Sequence, residues 1–228
     1  MHDIAQKNAA ELAFWRSRVE LQGTLTNDHY AYFYTTHFGW EYAFYRGKRI
    51  LDIGCGPRGS LEWAAEAGIR IGVDPLAGAY RQLGTTRHAM RYVACGAEHL
   101  PFPTDTFDVV CAFNSLDHVD DLAKVIDEIR RVLAPHGYFL LLSEIHRHPT
   151  IMEPNAYSWD ILVRFQSKLR VVEQSQVEYT VFSPEGFGDI YQSLQRGMPY
   201  NHHDARERSG ILSAKFRKRA RLDDATLE

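Results

Sequence analysis

The chain has 228 residues, 45% of them hydrophobic, with a formal net charge of −3. That length suits one sizeable core plus a cap rather than two full domains, and that composition excludes a largely disordered chain. A sequence pI near 6.4 also lacks the strongly basic footprint of a nucleic-acid binder.

Residues 1 to 46 are helical in composition and unusually aromatic, with Tyr30, Tyr32, Phe33, Tyr34, Phe38, Trp40, Tyr42, Phe44 and Tyr45 close together. This segment reads as a helical layer packed on a sheet, as a lid over a substrate pocket, or as both. From Lys48 onward, short β-branched runs alternate with helical segments. Arg49–Ile53 is expected as a buried strand, Leu61–Ala67 as a helix stopped by Gly68, and Arg70–Asp74 as a second strand closed by Pro75. Arg91–Ala94 and Phe107–Phe113 follow as strands three and four. Asp121–Leu133 is an amphipathic helix with Leu122, Val125, Ile126, Ile129 and Leu133 on one face. Pro135-His136-Gly137 ends it, and Tyr138–Ser143 is the fifth strand. Ser158–Lys168 is expected as a helix, Leu169–Tyr179 as a strand, and Gly210–Lys218 as a final edge strand. Residues 180–209 read as an irregular insertion. Strands alternating with helices imply parallel βαβ units, and right-handed crossovers place helices on both sheet faces.

Cys55, Cys95 and Cys111 are odd in number and form no C-x-x-C pair, so neither a disulfide framework nor a zinc site is expected. Reduced thiols fit a cytoplasmic protein. The start, MHDIAQKNAAELAFW, has no long apolar run behind a basic head, and no stretch reaches the roughly 18 apolar residues of a membrane span. The sequence therefore points to no membrane partner.

The main chemical signal is Ile50-Leu51-Asp52-Ile53-Gly54-Cys55-Gly56-Pro57-Arg58-Gly59-Ser60. A strand running into a glycine turn lets the backbone approach a ligand closely, and a following helix would offer free N–H groups. About 20 residues on, Asp74 stands where an acid reaches ribose hydroxyls; its bland alternative is a turn-forming acid before Pro75. The bare Gly54-x-Gly56-x-x-Gly59 spacing also matches a dinucleotide fingerprint. Asp52 argues against that, because an acid there repels a pyrophosphate and suits a ligand carrying an ammonium or sulfonium.

The stretch LDIGCGPRGS resembles motif I of class I S-adenosylmethionine-dependent methyltransferases. The third glycine of the family pattern falls on Arg58, with Gly59 one place later. Gly72-Val73-Asp74 resembles the ribose-binding motif. Residues 95–103 resemble the adenine-side segment, 106–110 the start of strand four, 114–119 the segment beside the methyl donor, and 131–138 the turn before strand five. The likeness covers roughly residues 48 to 145 and is nearest to the small-molecule, type 11-like branch. It implies a Rossmann-like, doubly wound, mostly parallel seven-stranded sheet with helices on both faces, 1–46 forming an N-terminal lid and 47–228 the methyltransferase domain. It implies S-adenosylmethionine as cofactor, S-adenosylhomocysteine as product, and Asp52, Gly54, Cys55, Gly56, Asp74, Pro75, Ala97, Glu98 and Asn114 as the residues that hold it. The family's adenine-side acid falls on Gly96. The Ala97 N–H is left to meet the adenine ring, and Glu98 either takes the amino contact or points to solvent.

Methyl transfer is an in-line displacement, so the protein mainly positions the acceptor. A hydroxyl acceptor also profits from a general base. His118, after strand four, and His146, after strand five, are the candidates; their alternatives are packing beside the adenosyl group and a solvated loop. Asn114, Asp117 and Glu144 are expected at the pocket mouth. His202-His203-Asp204 lacks a further ligand at convincing spacing, so no metal is expected. The basic run from Lys215 to Arg221 reads as a charged edge rather than a nucleic-acid contact. The expected function is methyl transfer to an oxygen or nitrogen of a small molecule by a monomer or homodimer. The competing readings are a nucleic-acid or protein methyltransferase, a nicotinamide oxidoreductase, and a catalytically silent binder of the same cofactor.

Overall fold

The computed structural model describes residues 3–145, 148–157, 161–171, 178–181 and 210–218. Helix α1, Ile4–Gln22, opens the chain, capped by the Asp3 carboxylate, which accepts from the N–H groups of Ala5 and Gln6. Only Lys7 is buried on it, so α1 is not a helix held by a broad apolar stripe. A short helix α2, Tyr30–Tyr34, and two 3-10 turns, Thr36–Phe38 and Tyr42–Tyr45, carry the aromatic cluster.

The sheet follows. Strands β1 (Arg49–Ile53), β2 (Ile69–Val73), β3 (Arg91–Val93), β4 (Phe107–Phe113) and β5 (Leu133–Ile145) are joined in the order β3-β2-β1-β4-β5, all parallel. Strand β8, Gly210–Arg217, runs antiparallel beside β5. On its far side β8 pairs with β6 (Arg170–Val171) near its end and with β7 (Glu178–Val181) near its start. Among the described residues, eight strands thus occupy seven positions across a Rossmann-like sheet. The core strands are near-continuous apolar runs because both their faces are covered.

Side chains alternate between the faces. Leu51, Ile53, Val110, Ala112, Phe139 and Leu141 face helix α4, Leu122–Val132, and helix α5, Ile161–Gln166. Helix α4 begins where the Asp121 carboxylate accepts from the Lys124 N–H, and it buries Leu122, Val125, Ile126, Ile129 and Val132, the spacing of a core-facing helix. Ile50, Val109, Cys111, Leu140 and Leu142 face the aromatic layer of Phe33, Tyr34, Phe38 and Tyr45. The packed-layer reading of residues 30–45 therefore holds, with a short helix and 3-10 turns serving in place of long helices.

Four expectations are corrected. No α-helix spans Leu61–Ala67: successive three-residue closures, Glu62 N–H to Gly59, Ala64 N–H to Leu61 and Ala67 N–H to Ala64, make a chain of turns, started by the left-handed Gly59 at φ +77°. Pro135-His136-Gly137 lies inside β5, where His136 takes φ +63° and the β4–β5 register shifts between Phe107 and Val109. The strand passes through this turn with an irregular pairing, from Phe107↔Leu133 to Val109↔Tyr138, rather than starting after it. Strand β8 is internal, and Lys215 on it is buried, its Nζ donating to the Phe38 carbonyl at 2.8 Å and lying 4.7 Å from the Trp40 ring centre. Residues 180 and 181 belong to β7, whereas 182–209, with His202, His203 and Asp204, lie outside the described residues, as do 219–228. No helix among the described residues is long and apolar enough to cross a membrane.

Candidate active site

The carboxyl ends of β1, β2 and β4 meet where the strand order reverses on either side of β1, the place where open α/β sheets bind ligands. Strand β1 hands over to Gly54, whose φ is +69° and whose N–H donates to the Val73 carbonyl at 2.8 Å. A Cβ at this position would stand 2.2 Å from that of Ser115, so the loop passes β4 only as glycine. Gly56, at φ +55°, donates its N–H to Asp74 Oδ2 at 3.2 Å. No helix N-terminus follows, so the loop presents its own backbone.

Two buried acids flank this loop. Asp52 accepts from Tyr34 Oη at 3.0 Å and, over a short contact, from Ser60 Oγ. Burial pushes its carboxyl up to about 7, against those two hydrogen bonds. Asp74 accepts from the Leu76 N–H at 2.8 Å as well as from Gly56. The turn-forming reading of Asp74 is thus correct, and its carboxylate also lines the cavity. Burial raises it too, opposed by these N–H groups and by Tyr80. At the end of β4, Asn114 adopts φ +47°. Such a left-handed non-glycine backbone is uncommon.

One cavity of about 690 Å³ runs past these groups, and every cofactor residue expected from the sequence, Asp52, Gly54, Cys55, Gly56, Asp74, Pro75, Ala97, Glu98 and Asn114, lines it. Burial pushes the Cys55 thiol upward, keeping it a neutral wall group. Glu98 has a structural role that neither expectation named. Its Oε1 accepts from the N–H groups of Asp120 at 2.8 Å and Asp121 at 3.3 Å, so it fixes the turn leading into α4.

His118 and Glu144 also line the cavity. His146 lies outside the described residues, so the structure gives it no position. His118 sits on a 3-10 turn, Leu116–His118, with Nε2 3.7 Å from Asp117 Oδ1 and Nδ1 3.7 Å from Glu11 Oε2. Asn155 binds the carbonyls of Asp117 and Val119, and Tyr157 Oη donates to the Leu116 carbonyl at 2.5 Å. These bonds bring Glu153 against the turn, so that one polar atom each of Asp117, His118 and Glu153 lies within 4.8 Å of the others.

The α1 wall is the part the sequence reading missed. Lys7, Glu11 and Trp15 all line the cavity. Lys7 Nζ donates to the His118 carbonyl at 2.6 Å and to Asp120 Oδ1 at 2.9 Å. Trp15 Nε1 donates to Glu11 Oε1 at 2.8 Å. Burial raises the Glu11 carboxyl, opposed by His118 and by Trp15. The available signal was their spacing of four, which puts all three on one helix face.

Comparison with known proteins agrees with this geometry. The family described as "Methyltransferase domain" matches residues 51–141. An O-methyltransferase of Aspergillus nomiae is 30% identical over 193 residues, covering 80% of this chain and 78% of that protein. A sterol 4-C-methyltransferase of Caenorhabditis elegans is 35% identical over 98 residues, 40% of this chain and 29% of its own length. The crystal structure of the YcgJ protein of Bacillus subtilis aligns with a TM-score of 0.56 at 20% identity, over 81% of this chain and 99% of that one. This chain belongs to the S-adenosylmethionine-dependent methyltransferase family and has its class I fold. The cofactor of that family is S-adenosylmethionine. The matched stretch spans about a third of the length of the first curated relatives, 29% and 35% for the first two.

Proposed function

We propose that this chain transfers the methyl group of S-adenosylmethionine to an oxygen or nitrogen of a small molecule. The observation that carries this reading is that one cavity is lined by all nine expected cofactor residues together with His118 and Glu144. The donor set fits the cofactor. Asp52 and Asp74 offer carboxylates, and the glycine loop offers backbone that a side chain would obstruct. Eight acids line the cavity against two arginines and one lysine. A cationic sulfonium with an ammonium suits that field, whereas a pyrophosphate does not. The same argument weighs against a nicotinamide oxidoreductase. The likeness to a protein named as an O-methyltransferase over most of both chains favours an oxygen acceptor. The net charge of −3 favours a small molecule over a nucleic acid.

In this reading Asp74 and Pro75 hold the ribose side, Ala97 and Glu98 flank the adenine, and Cys55 lies against the nucleoside. Asp52 and the Gly54–Gly56 backbone hold the amino-acid end, beside Asn114. When bound, the cofactor supplies an activated methyl group. The protein's part is to hold the acceptor atom at about 3–3.5 Å in line with it and to exclude water. His118 takes the acceptor's proton. Helix α1 and the aromatic segment behind it close the cavity as a lid.

Calorimetric titration with S-adenosylmethionine and S-adenosylhomocysteine, alongside Asp74→Ala, tests this directly. Micromolar binding that weakens about 10- to 100-fold in the variant is expected, the worth of hydrogen bonds to a charged group. A folded wild-type chain that binds neither compound would refute the reading.

A further inference from the structure

We infer that Glu11 and Trp15 of α1 are positioning residues for the imidazole of His118, so that the N-terminal helix completes an acid–base group that the sheet alone leaves unfinished. The inference rests on the methyltransferase reading above and extends it to residues outside the motif region.

The geometry is a relay of three side chains. Trp15 Nε1 donates to Glu11 Oε1 at 2.8 Å, and Glu11 Oε2 stands 3.7 Å from His118 Nδ1. Trp15 reaches back one turn because side chains on a helix lean toward its N-terminus, so the two residues form a preset unit. One turn earlier, Lys7 pins the His118 carbonyl at 2.6 Å. Helix α1 therefore grips the same residue at both backbone and ring. A separation of 3.7 Å is longer than a hydrogen bond but keeps the two side chains in charge contact, as the lowering of the burial-raised Glu11 carboxyl by His118 reflects.

Glu11 Oε2 at Nδ1 favours the proton on Nδ1, the logic by which a buried acid orients a catalytic histidine, and it works against Asp117 Oδ1, which stands at the same 3.7 Å from Nε2. The Trp15 hydrogen bond that fixes Glu11 tips the balance toward Nε2 as the base. The acceptor's proton then moves to Nε2, and the freed electron pair of the acceptor atom bonds to the methyl carbon. The electron pair of the broken methyl–sulfur bond stays on sulfur. The imidazolium is faced by Glu11 from α1, Asp117 from its own turn and Glu153 from the 148–157 segment. Asp74 at the end of β2 also feels its charge, and Lys7 and Asp120 pair beside it. His118 is 27% exposed, enough to return the proton to solvent.

The relay also reaches the cofactor side. A Cβ on Gly56 would stand 3.1 Å from the Trp15 ring, and the Arg58 guanidinium lies 5.6 Å from the centre of that ring. Trp15 thus packs on the glycine loop and holds Glu11 at once. Filling the loop and orienting the base are mechanically linked through one indole.

The test uses 15N-labelled full-length protein, with and without S-adenosylhomocysteine, and reads the His118 ring and Trp15 indole signals, assigned with His118→Asn and Trp15→Phe. The neutral His118 ring is expected to prefer the Nδ1–H tautomer by about tenfold, the worth of one charge-assisted hydrogen bond. Glu11→Gln should reverse that preference toward Nε2–H, because Asp117 then acts on the ring alone, and should shift the indole N–H. Trp15→Phe, which keeps the helix packing, should give the same tautomer change in weaker form. Tautomer signals unchanged in both variants would overturn the inference, even with product binding intact. Selective broadening of His118 and Glu153 by micromolar Mn²⁺ would also overturn it, by making the cluster a cation site. Failure of the wild type to bind S-adenosylhomocysteine would instead strike the methyltransferase reading, while the ligand-free ring signals would still decide the relay.

Discussion

The two ends of the cavity are built by different means. The β1–β2 end is made of strand termini and the loops that leave them, with Gly54, Asp52 and Asp74 within one stretch of chain, Gly54 and Asp74 tied to backbone and Asp52 held by Tyr34 and Ser60. The other end is assembled from α1, the turn at His118 and the 148–157 segment, joined by side chains that span more than a hundred residues, as Lys7 does to His118 and Asp120. The first end is set mostly by short-range contacts around the ends of β1 and β2. The second depends on a few docking bonds, and ligand-gating elements are commonly drawn from such weakly held parts.

The sharpest way to break the first end is Gly54→Ala. Its methyl would meet Ser115 at 2.2 Å in a backbone at φ +69°. Left-handed strain alone costs about 1–2 kcal/mol, and the loop must also move. Calorimetry should show S-adenosylhomocysteine affinity falling by about two orders of magnitude, the loss of one or two charge-assisted hydrogen bonds along the displaced loop. An alanine variant that still binds normally would mean that the loop is not the cofactor cradle.

A subtler probe of the same end is pH. Burial holds the Asp52 carboxyl at about 7, above its unfolded value near 3.9. The folded chain therefore keeps a proton that the unfolded chain releases, and the stability linked to this group falls as pH rises from about 4 to about 7. A ligand ammonium beside Asp52 favours the charged carboxylate, so binding should release a proton and tighten between pH 6 and 8. Calorimetry in buffers of different ionisation enthalpy would read that proton, and Asp52→Asn should abolish it. Binding with no proton release by the wild type at pH 6.5 would separate Asp52 from the ammonium.

The smallest expected effect tests the second end. Lys7→Met leaves the His118 carbonyl and Asp120 without their donor and should cost about 1–3 kcal/mol in denaturant unfolding. Faster hydrogen exchange should be confined to α1, with product affinity changed less than the loop variant changes it. If exchange quickened equally in β1 and β4, the two ends would be one cooperative unit and the contrast would fail.

Legibility followed the same division. Strands β1, β2, β3 and β4 and helix α4 lie close to the expected positions because period and cap residues write them locally, as with Asp121 before Leu122. The expected helix at Leu61–Ala67 fails because its residues suit a helix in isolation, whereas the left-handed Gly59 and the packing of Leu61 and Ala64 on β1 and β4 require a tighter path. Strand β8 was legible as a strand but not as an internal one, since its neighbours are chosen by long-range pairing. Lys215 looked like surface charge because one residue type serves both surface and core, and only the Phe38 carbonyl and the Trp40 ring make its burial tolerable.

The sequence by itself determined the α/β class, the glycine loop, the acids Asp52 and Asp74, and family membership, because each is carried by residues within a few turns of one another. Tertiary structure alone decided that α1 would cross the chain to face His118. Lys7, Glu11 and Trp15 carry no motif, and their meaning arises only when folding sets Lys7 and Glu11 against His118, more than a hundred residues away, and Trp15 against the glycine loop.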